Sequence, residues 1–274
     1  MKSKFISKGF IYLILIIGAA FILLPFIWMI STSLKPANEV LTVTPKWVPS
    51  EIRWENFKIA FKSAPFKRYF FNSVFVTVMV TVGELITTIL AAYAFAKVDF
   101  KGKHIIFSLL IATMMVPGEV LIIPNFVTLS KLGWIDSYKA LIIPWCGSIF
   151  AIFLLRQHFF SIPDELYYAA KIDGCTDFKY LWLIMVPIAK PAIITLVILK
   201  VIGSWNSFIW PLIMTNSEEM RTLPVALSNF SSEAGTEYHI LMAAATMIIL
   251  PMIILYIILQ KHIISGVSKT GIKG

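Results

Sequence analysis

Apolar stretches close to the length that crosses a lipid bilayer constrain this chain more than any other feature. They lie at 10–33, 71–96, 105–127, 138–155, 191–213 and 239–260. A spanning helix needs about 20 mostly apolar residues, and a segment in lipid must satisfy its own backbone groups, which a helix does. The pattern therefore predicts an all-α polytopic membrane protein of about six transmembrane helices. Prolines in or beside these runs predict kinked or broken helices around cavities: Pro25, Pro117, Pro124, Pro144, Pro211 and Pro251.

Composition agrees with a membrane protein and excludes several other classes. The 274 residues are 58% hydrophobic and 14% charged, whereas soluble domains have about 45–50% apolar and about 25% charged residues. The net charge of +9 comes from basic residues scattered at the ends of apolar runs, so no nucleic-acid partner is expected. Cys146 and Cys175 lie far apart and indicate neither a disulfide nor a metal site. Glu233 and Glu237 lack supporting histidines, so no metal site is predicted there either.

The N-terminal part predicts a first span followed by an outer loop. Its apolar run is too long for a signal-peptide core, so we expect it to be retained. We predict residues 1–68 as first helix and outer loop, and 69–274 as a core of five further helices. The loop 35–70, with Trp47 and Trp54, is a candidate interfacial segment. The distribution of basic residues leans weakly towards cytoplasmic termini.

The fourth and fifth apolar runs are separated by residues 156–190, which we name the insert. Within it, residues 161–175 read SIPDELYYAAKIDGC. Ser161 is a candidate N-cap, with Pro163 and Asp164 in the first helical turn. We expect this helix to run to about Ile172, with Gly174 just beyond its C-terminus.

One face of the predicted helix is unusually small in the middle. Leu166, Ala169, Ala170 and Asp173 fall on it at spacings of three and four residues. Another surface could therefore approach the helix backbone closely. The residues alone leave two readings open: an amphipathic helix lying on lipid headgroups, or a docking element for a partner.

The sequence AAKIDGCTDFKYLWLIMVPIAKP in the insert resembles the EAA loop of the membrane subunits of ABC importers. The marked family positions correspond to Ala169, Ala170, Asp173, Gly174, Pro187 and Pro191. Tyr168 stands where the family has Glu, Cys175 replaces a small residue, and Val186 replaces the common Leu. The resemblance implies a cytoplasmic coupling helix seated in a cleft of a separate ATPase. The docking residues it implies are Leu166, Tyr168, Ala169, Ala170, Asp173 and Gly174.

Further segments resemble the carbohydrate branch of this family, especially the second permease of maltose-type and glycerol-phosphate-type systems. They are FLLRQHF (153–159), GSWNSFIWPL (203–212), MRTLP (220–224), LMAAATM (241–247), QKHIISG (260–266) and the terminal Lys273-Gly274. The resemblance implies a type I importer permease fold in the bacterial cell membrane, with cytoplasmic termini.

The partners implied by the resemblance are a second permease subunit, an ATPase dimer that binds ATP and Mg²⁺, and an extracytoplasmic binding protein facing residues 214–238. The permease itself would carry no cofactor. The implied activity is import of a sugar or oligosaccharide by alternating access, in which the 163–173 helix acts as a lever.

Several residues are candidates for the substrate path. Ionisable side chains within apolar runs are functional candidates by default, and here they are Glu84, Glu119 and Lys200. Aromatic faces stack on sugar rings while amides and hydroxyls bind sugar hydroxyls, which points to Trp205, Asn206, Ser207 and Trp210 ahead of Pro211. The alternatives are interfacial solvation for Glu119, an interhelical hydrogen bond for Glu84, snorkelling for Lys200, and an aromatic belt for the tryptophans.

Other functions remain as alternatives. The carried solute could be another one, such as glycerol 3-phosphate. A secondary transporter driven by a proton or sodium gradient could use Glu84, Glu119 or Lys200 as relays. An enzyme is not expected, because the sequence has no G-x-x-x-x-G-K phosphate loop, no H-E-x-x-H and no G-x-S-x-G.

Overall fold

The protein is almost entirely helical. A computed structural model describes residues 2–232 and 235–268. The α-helices are α1 (Lys2–Ser33), α2 (Glu55–Lys62), α3 (Phe66–Lys97), α4 (Lys103–Thr113), α5 (Ile122–Lys131), α6 (Tyr138–Ile142), α7 (Ile149–Phe160), α8 (Glu165–Ile172), α9 (Asp177–Tyr180), α10 (Val186–Ile188), α11 (Lys190–Trp205), α12 (Ile209–Met214), α13 (Leu223–Ala226) and α14 (Tyr238–Ser268).

The remaining regular elements are short. Single 3-10 turns lie at Ala37–Glu39, Gly118–Leu121, Ile143–Trp145, Glu218–Met220 and Leu227–Phe230, and a π-helical turn at Leu181–Met185. Strands β1 (Ser231–Ser232) and β2 (Gly235–Thr236) form a small antiparallel pair, with Ser231 opposite Thr236. Of the predicted features, Glu233 and the terminal Lys273-Gly274 lie outside the described residues.

The membrane-spanning pattern confirms an all-α multi-pass protein. Four stretches are each long and apolar enough to cross a bilayer: Lys8–Ser33, Phe66–Lys97, Tyr138–Phe160 and Tyr238–Ile258. Two bent pairs bring the number to as many as six in the part of the chain that the structure describes. They are Lys103–Thr113 with Gly118–Lys131, bent by 90°, and Asp177–Ile188 with Lys190–Trp205, bent by 79°. The first bend contains Pro117, where the sequence predicted a broken helix.

The fifth predicted span is shorter than its apolar run. The run 191–213 suggests one helix, but α11 ends at Trp205 and α12 begins at Ile209. Pro211 accounts for the interruption. A proline inside a helix cannot donate to the carbonyl four residues earlier, here that of Ser207, and its ring collides with that carbonyl. In the first turn of a separate helix the missing N–H carries little cost.

The chain divides into two compact units. The first contains Met1–Phe66 and Val225–Ile253, and the second contains Lys67–Pro224 and Ile254–Gly274. All candidate site residues belong to the second unit. The predicted division into 1–68 and 69–274 stays a prediction.

In the first unit, the loop after α1 folds back on the end of that helix. The Trp28 and Trp47 rings meet edge-on with centroids 5.0 Å apart, and Lys35 Nζ lies 3.8 Å from the Trp28 centroid. Glu39 accepts hydrogen bonds from the Ser50 N–H and from Lys46, and these bonds lower the pKa of Glu39 to about 2. The loop is therefore fixed by specific contacts, and the α-helical residues of the candidate interfacial segment are those of α2 and the first turn of α3.

The second unit contains two apolar clusters that position the candidate sites. The first joins α3, α7, the insert and α11 through buried side chains that include Ile89, Leu155, Phe159, Tyr180 and Leu196. The second joins α3, α5, α6 and α12 and includes Val80, Leu129, Leu141, Trp210 and Met214. The first cluster supports the insert, and the second supports the wall of a cavity.

Candidate functional site

The insert begins differently from the sequence prediction. Ser161 does not cap the insert helix, α8; it ends α7, where its N–H and hydroxyl both donate to the His158 carbonyl, at 3.1 and 2.7 Å. Asp164 occupies the N-cap position of α8 and makes no side-chain capping bond. The reason is a competing partner, because the Asp164 carboxylate forms an ion pair with Lys97 at the end of α3.

Lys97 fixes the start of the insert to α3. Its Nζ lies 2.9 Å from the carbonyl oxygen of the buried Ile162 and 2.5 Å from Asp164 Oδ1. The Lys97 side chain is only 10% exposed. An ammonium group at that depth needs partners of this kind, so the two contacts define where α8 starts. We name Lys97, Ile162 and Asp164 the insert clamp.

The end of α8 agrees with the sequence prediction. Gly174 has φ = +73°, in the left-handed region. The Gly174 N–H donates to the Lys171 carbonyl at 3.0 Å, and the Cys175 N–H donates to the Ala170 carbonyl at 2.8 Å. This pair of bonds is the Schellman motif, in which a left-handed residue terminates a helix. Gly174 therefore sets the direction in which the chain leaves α8.

The predicted small face of α8 is divided in the structure. Ala170 is buried in the first apolar cluster, whereas Leu166, Ala169 and Asp173 are exposed. Ala170 therefore supports the insert from inside and does not lie on its outer surface. The exposed surface is also more apolar than predicted, because Ile172 is 87% exposed and Tyr168 is 64% exposed. Tyr168 and Ile172 are four residues apart and so share one face.

The short helix α9 is linked to α8 by side-chain contacts. The Tyr167 hydroxyl donates to Asp177 Oδ1 at 2.9 Å, and Lys171 Nζ lies 2.8 Å from the same oxygen. The hydrogen bond to Asp177 raises the pKa of Lys171. The Tyr167 ring also meets the buried Tyr180 ring edge-on at 5.1 Å. The insert thus presents exposed apolar side chains on a rigid base.

The second candidate site is a pair of cavities beside the break between α11 and α12. The smaller has a volume of about 220 Å³ and the larger about 600 Å³. Trp145, Ser207 and Trp210 line both of them. The Trp145 and Trp210 rings meet edge-on at 5.3 Å, and Trp210 Nε1 donates to the Ala140 carbonyl at 3.1 Å. This bond fixes the Trp210 ring as a cavity wall.

The other predicted path residues are distributed unevenly around these cavities. Asn206 and Glu119 line the larger cavity, and Lys200 lines the smaller. Trp205 lines neither; it is buried and packs edge-on against Phe70 at 6.1 Å. Trp205 therefore supports the fold in this conformation.

Glu84 and Lys200 meet, which the sequence did not predict. Glu84 Oε2 and Lys200 Nζ are 2.5 Å apart, with side chains 10% and 16% exposed. Lys200 Nζ also donates to the Trp145 carbonyl at 3.1 Å. Charged groups within apolar surroundings are commonly paired in this way. The pair is a contact between α3 and α11, as the interhelical alternative for Glu84 suggested, and it satisfies Lys200 without snorkelling.

Trp145 is the residue that sequence analysis missed. Its only signal was the neighbouring Pro144, which predicted a distortion of the fourth run. The chain indeed forms a 3-10 turn at Ile143–Trp145 before α7 starts at Ile149. This turn gives Lys200 access to the Trp145 carbonyl and directs the ring into the cavity wall.

The connection that follows α12 is tied down by Asp136. Its Oδ1 accepts from the N–H groups of Asn216 and Ser217, at 2.9 and 3.0 Å, and from the Ser217 hydroxyl at 3.0 Å. Burial acts to raise the pKa of Asp136, but these hydrogen bonds and the charge of Arg221 outweigh it and lower the pKa.

Asn72 on α3 holds the next part of the same connection. Its Nδ2 donates to the carbonyls of Glu219 and Arg221, each at 2.8 Å, and its Oδ1 accepts from the Tyr138 hydroxyl at 2.7 Å. The first part of the predicted 214–238 outer segment is therefore ordered. Within the residues that the structure describes, no group of three or more His, Cys, Asp or Glu side chains could hold a metal ion.

Comparison with known proteins identifies the family. Residues 85–269 match the family described as binding-protein-dependent transport system inner membrane component. The chain belongs to this family. The permease is also 38% identical, over 92% of its length and 91% of the relative's, to the arabinooligosaccharides transport system permease protein AraQ of Bacillus subtilis strain 168. It is 31% identical, over 94% of both chains, to the sn-glycerol-3-phosphate transport system permease protein UgpE of Yersinia enterocolitica.

A solved structure agrees with this assignment. The permease superposes with a TM-score of 0.84 and 27% identity on a chain of a bacterial ABC transporter involved in the import of the acidic polysaccharide alginate, covering 95% of this chain and 98% of that one. The predicted importer permease fold is thus confirmed. The permease is a multi-pass membrane component of a binding-protein-dependent importer, and the prediction of a transport subunit, not an enzyme, is confirmed by these relatives.

Proposed function

We propose that the permease is one of two membrane subunits of an ATP-driven oligosaccharide importer in the bacterial cell membrane, with cytoplasmic termini. A separate ATPase dimer binds ATP and Mg²⁺ and holds the insert helix, and an extracytoplasmic binding protein delivers the sugar. The relatives' names support a sugar or sugar-derived solute, since they include arabinooligosaccharides and glycerol phosphate.

The observation that carries the docking proposal is the exposed apolar face of α8. Ile172 is 87% exposed and Tyr168 is 64% exposed, on a helix fixed at one end by the insert clamp and at the other by Gly174. A rigid apolar projection is what a partner's cleft can bind without an ordering cost. Tyr168 replaces the family Glu with a large ring and one hydroxyl, so it contributes apolar contact instead of charge.

Mechanistically, closure of the ATPase dimer moves α8. The first apolar cluster transmits this movement, because it contains Ala170 together with buried side chains of α3, α7 and α11. Tilting of these helices then switches the cavities between outward and inward access. The tryptophans Trp145 and Trp210 and the side chains of Asn206 and Ser207 offer stacking surfaces and hydrogen bonds to a sugar.

Reconstitution tests this function. The permease, its partner permease and the ATPase are placed in proteoliposomes, and uptake of labelled arabinotriose is measured with the binding protein outside. We expect uptake that requires ATP inside and survives an ionophore. Uptake that persists without ATP and is abolished by an ionophore would establish the ion-driven alternative instead.

A further inference from the structure

The smaller cavity combines hydroxyl groups with a charge that is already neutralised. It is lined by Lys200 together with Ser204, Ser207 and Thr222. Lys200 is its only ionisable lining residue, and Glu84 pairs with it at 2.5 Å. Glu84 lies behind Lys200 and does not line this cavity. In the unmodified permease its effect on a ligand is therefore exerted through Lys200, which separates the Glu84 carboxylate from this cavity.

One hydroxyl beside this cavity has no hydrogen-bond partner among the described residues, and its oxygen is covered. Thr222 is 4% exposed, and its Oγ1 has no hydrogen-bond partner among the described residues. Buried polar groups are nearly always hydrogen-bonded, and one without a partner calls for an explanation.

The size of the smaller cavity and the charges that line both cavities restrict the class of ligand further. At about 220 Å³ the cavity is smaller than the about 300–1,000 Å³ typical of pockets for drug-sized ligands, so it suits a single sugar unit. The ionisable residue of the larger cavity, Glu119, is acidic. All lining residues of both cavities are described, and none of them is a cation without a counter-charge. An anionic group would enter without compensation, which is costly in a poorly solvated site.

We propose that the Glu84–Lys200 pair makes this part of the path selective for uncharged sugar units over acidic or phosphorylated ones. Ser207 binds a sugar hydroxyl, and Trp145 provides an apolar face. Glu84 is a positioning residue: it neutralises Lys200 and holds it towards Trp145. This inference rests on the proposed function and specifies the substrate class.

The test uses the reconstituted complex with an unchanged binding protein, so that differences between variants arise in the permease. Three size-matched probes are used: arabinotriose, its aldonic acid and its amino-alditol derivative, which are neutral, anionic and cationic. Glu84→Gln leaves Lys200 unpaired and is expected to raise the anionic-to-neutral uptake ratio about tenfold or more. Lys200→Gln leaves Glu84 unpaired and is expected to raise the cationic-to-neutral ratio similarly.

The double variant Glu84→Gln/Lys200→Gln is the charge-balanced control. We expect it to restore both ratios to those of the unmodified permease. If the single variants lose uptake altogether, its recovery in the double variant supports charge balance, and failure to recover overturns the proposal. Ratios unchanged in single variants that still import arabinotriose also overturn it.

The unmodified complex separates this inference from the function on which it rests. Import of the aldonic acid in preference to arabinotriose overturns the charge inference and leaves the importer assignment intact. Import of none of the three probes contradicts the assignment as an oligosaccharide importer itself.

Discussion

At the scale of single residues, Gly174 is the position where the backbone conformation most restricts which amino acid can be present. Its φ of +73° is one that L-amino acids adopt at a cost of about 1–2 kcal/mol, and a β-branched side chain fits least well. No heavy atom lies within 4 Å of a Cβ built there. The constraint on Gly174 is therefore conformational and does not come from crowding.

Gly174→Val is expected to misdirect the chain after α8 and to reduce both ATP-driven uptake and co-purification of the ATPase. Gly174→Asn should retain most of both, because Asn tolerates the left-handed region. Gly18→Val is the matched control, since Gly18 is helical and has open space around it. Full uptake and ATPase retention in Gly174→Val would contradict this role of the turn.

The lowered pKa of Asp136 predicts how the stability of the fold changes with pH. Burial opposes the shift, but the hydrogen bonds from residues 216 and 217 lower the pKa of Asp136 in the folded protein, whereas the unfolded value is about 3.9. A lowered pKa stabilises the folded state at pH values above the unfolded pKa. This stabilisation is lost as the pH falls through the folded pKa.

Asp136→Asn should lower the free energy of unfolding by about 1 kcal/mol above pH 5, through weaker hydrogen bonds, and the difference should shrink below about pH 4. Asn also suits the positive φ of 59° at this position. Thermal unfolding of the complex, followed by tryptophan fluorescence across pH, measures the effect. Glu55→Gln, at an exposed carboxylate, is the control; an equal pH profile for both variants would refute the prediction.

At the scale of structural elements, the insert depends on the clamp at its start. Lys97→Met removes the ion pair to Asp164 and the bond to the Ile162 carbonyl. A hydrogen bond involving a charged group contributes about 1.5–3 kcal/mol. We therefore expect about tenfold or faster hydrogen exchange at the amides of α8, together with weaker coupling of ATP hydrolysis to uptake.

Lys101→Met, at an exposed lysine near the end of the same helix, controls for the loss of one positive charge. If hydrogen exchange in α8 is equally slow in Lys97→Met and Lys101→Met, the clamp does not hold the insert.

The helices also show which features of this fold can be predicted from the sequence. The apolar runs placed the membrane helices, Pro117 marked a break, and Gly174 marked the end of α8, because each depends on local chemistry. The start of α8 was wrong because Asp164 is drawn to Lys97, which is 67 residues away. Local capping preferences contain no information about such a partner.

The same limit applies to the cavity. Glu84 and Lys200 were each recognised as unusual, but their pairing depends on how α3 and α11 pack. Trp145 was missed since its position in a wall between two cavities follows from a tertiary arrangement. Ala170 was assigned to the outer face because helical spacing alone does not determine which side of a face becomes buried.

At the scale of the whole molecule, the permease has an exposed apolar surface on α8 and, separate from it, two interior cavities. The first apolar cluster connects α8 with α3, α7 and α11, and Lys200 and Ser204 on α11 line the smaller cavity. A movement of α8 can therefore be transmitted to the smaller cavity through packed side chains. This packing can couple ATP hydrolysis to transport only if the ATPase engages α8 from the cytoplasm.

Site-directed crosslinking in cells expressing the complete importer tests that engagement most directly. Cys146 and Cys175 are first replaced by Ser, and single cysteines are then introduced at Ile172, which is exposed, and at the buried Ala170. We predict that a maleimide–benzophenone reagent attached to position 172 is joined to the ATPase subunit on illumination, while position 170 gives little product. Labelling of position 172 only from outside the cell, or crosslinks that never include the ATPase, would contradict the account.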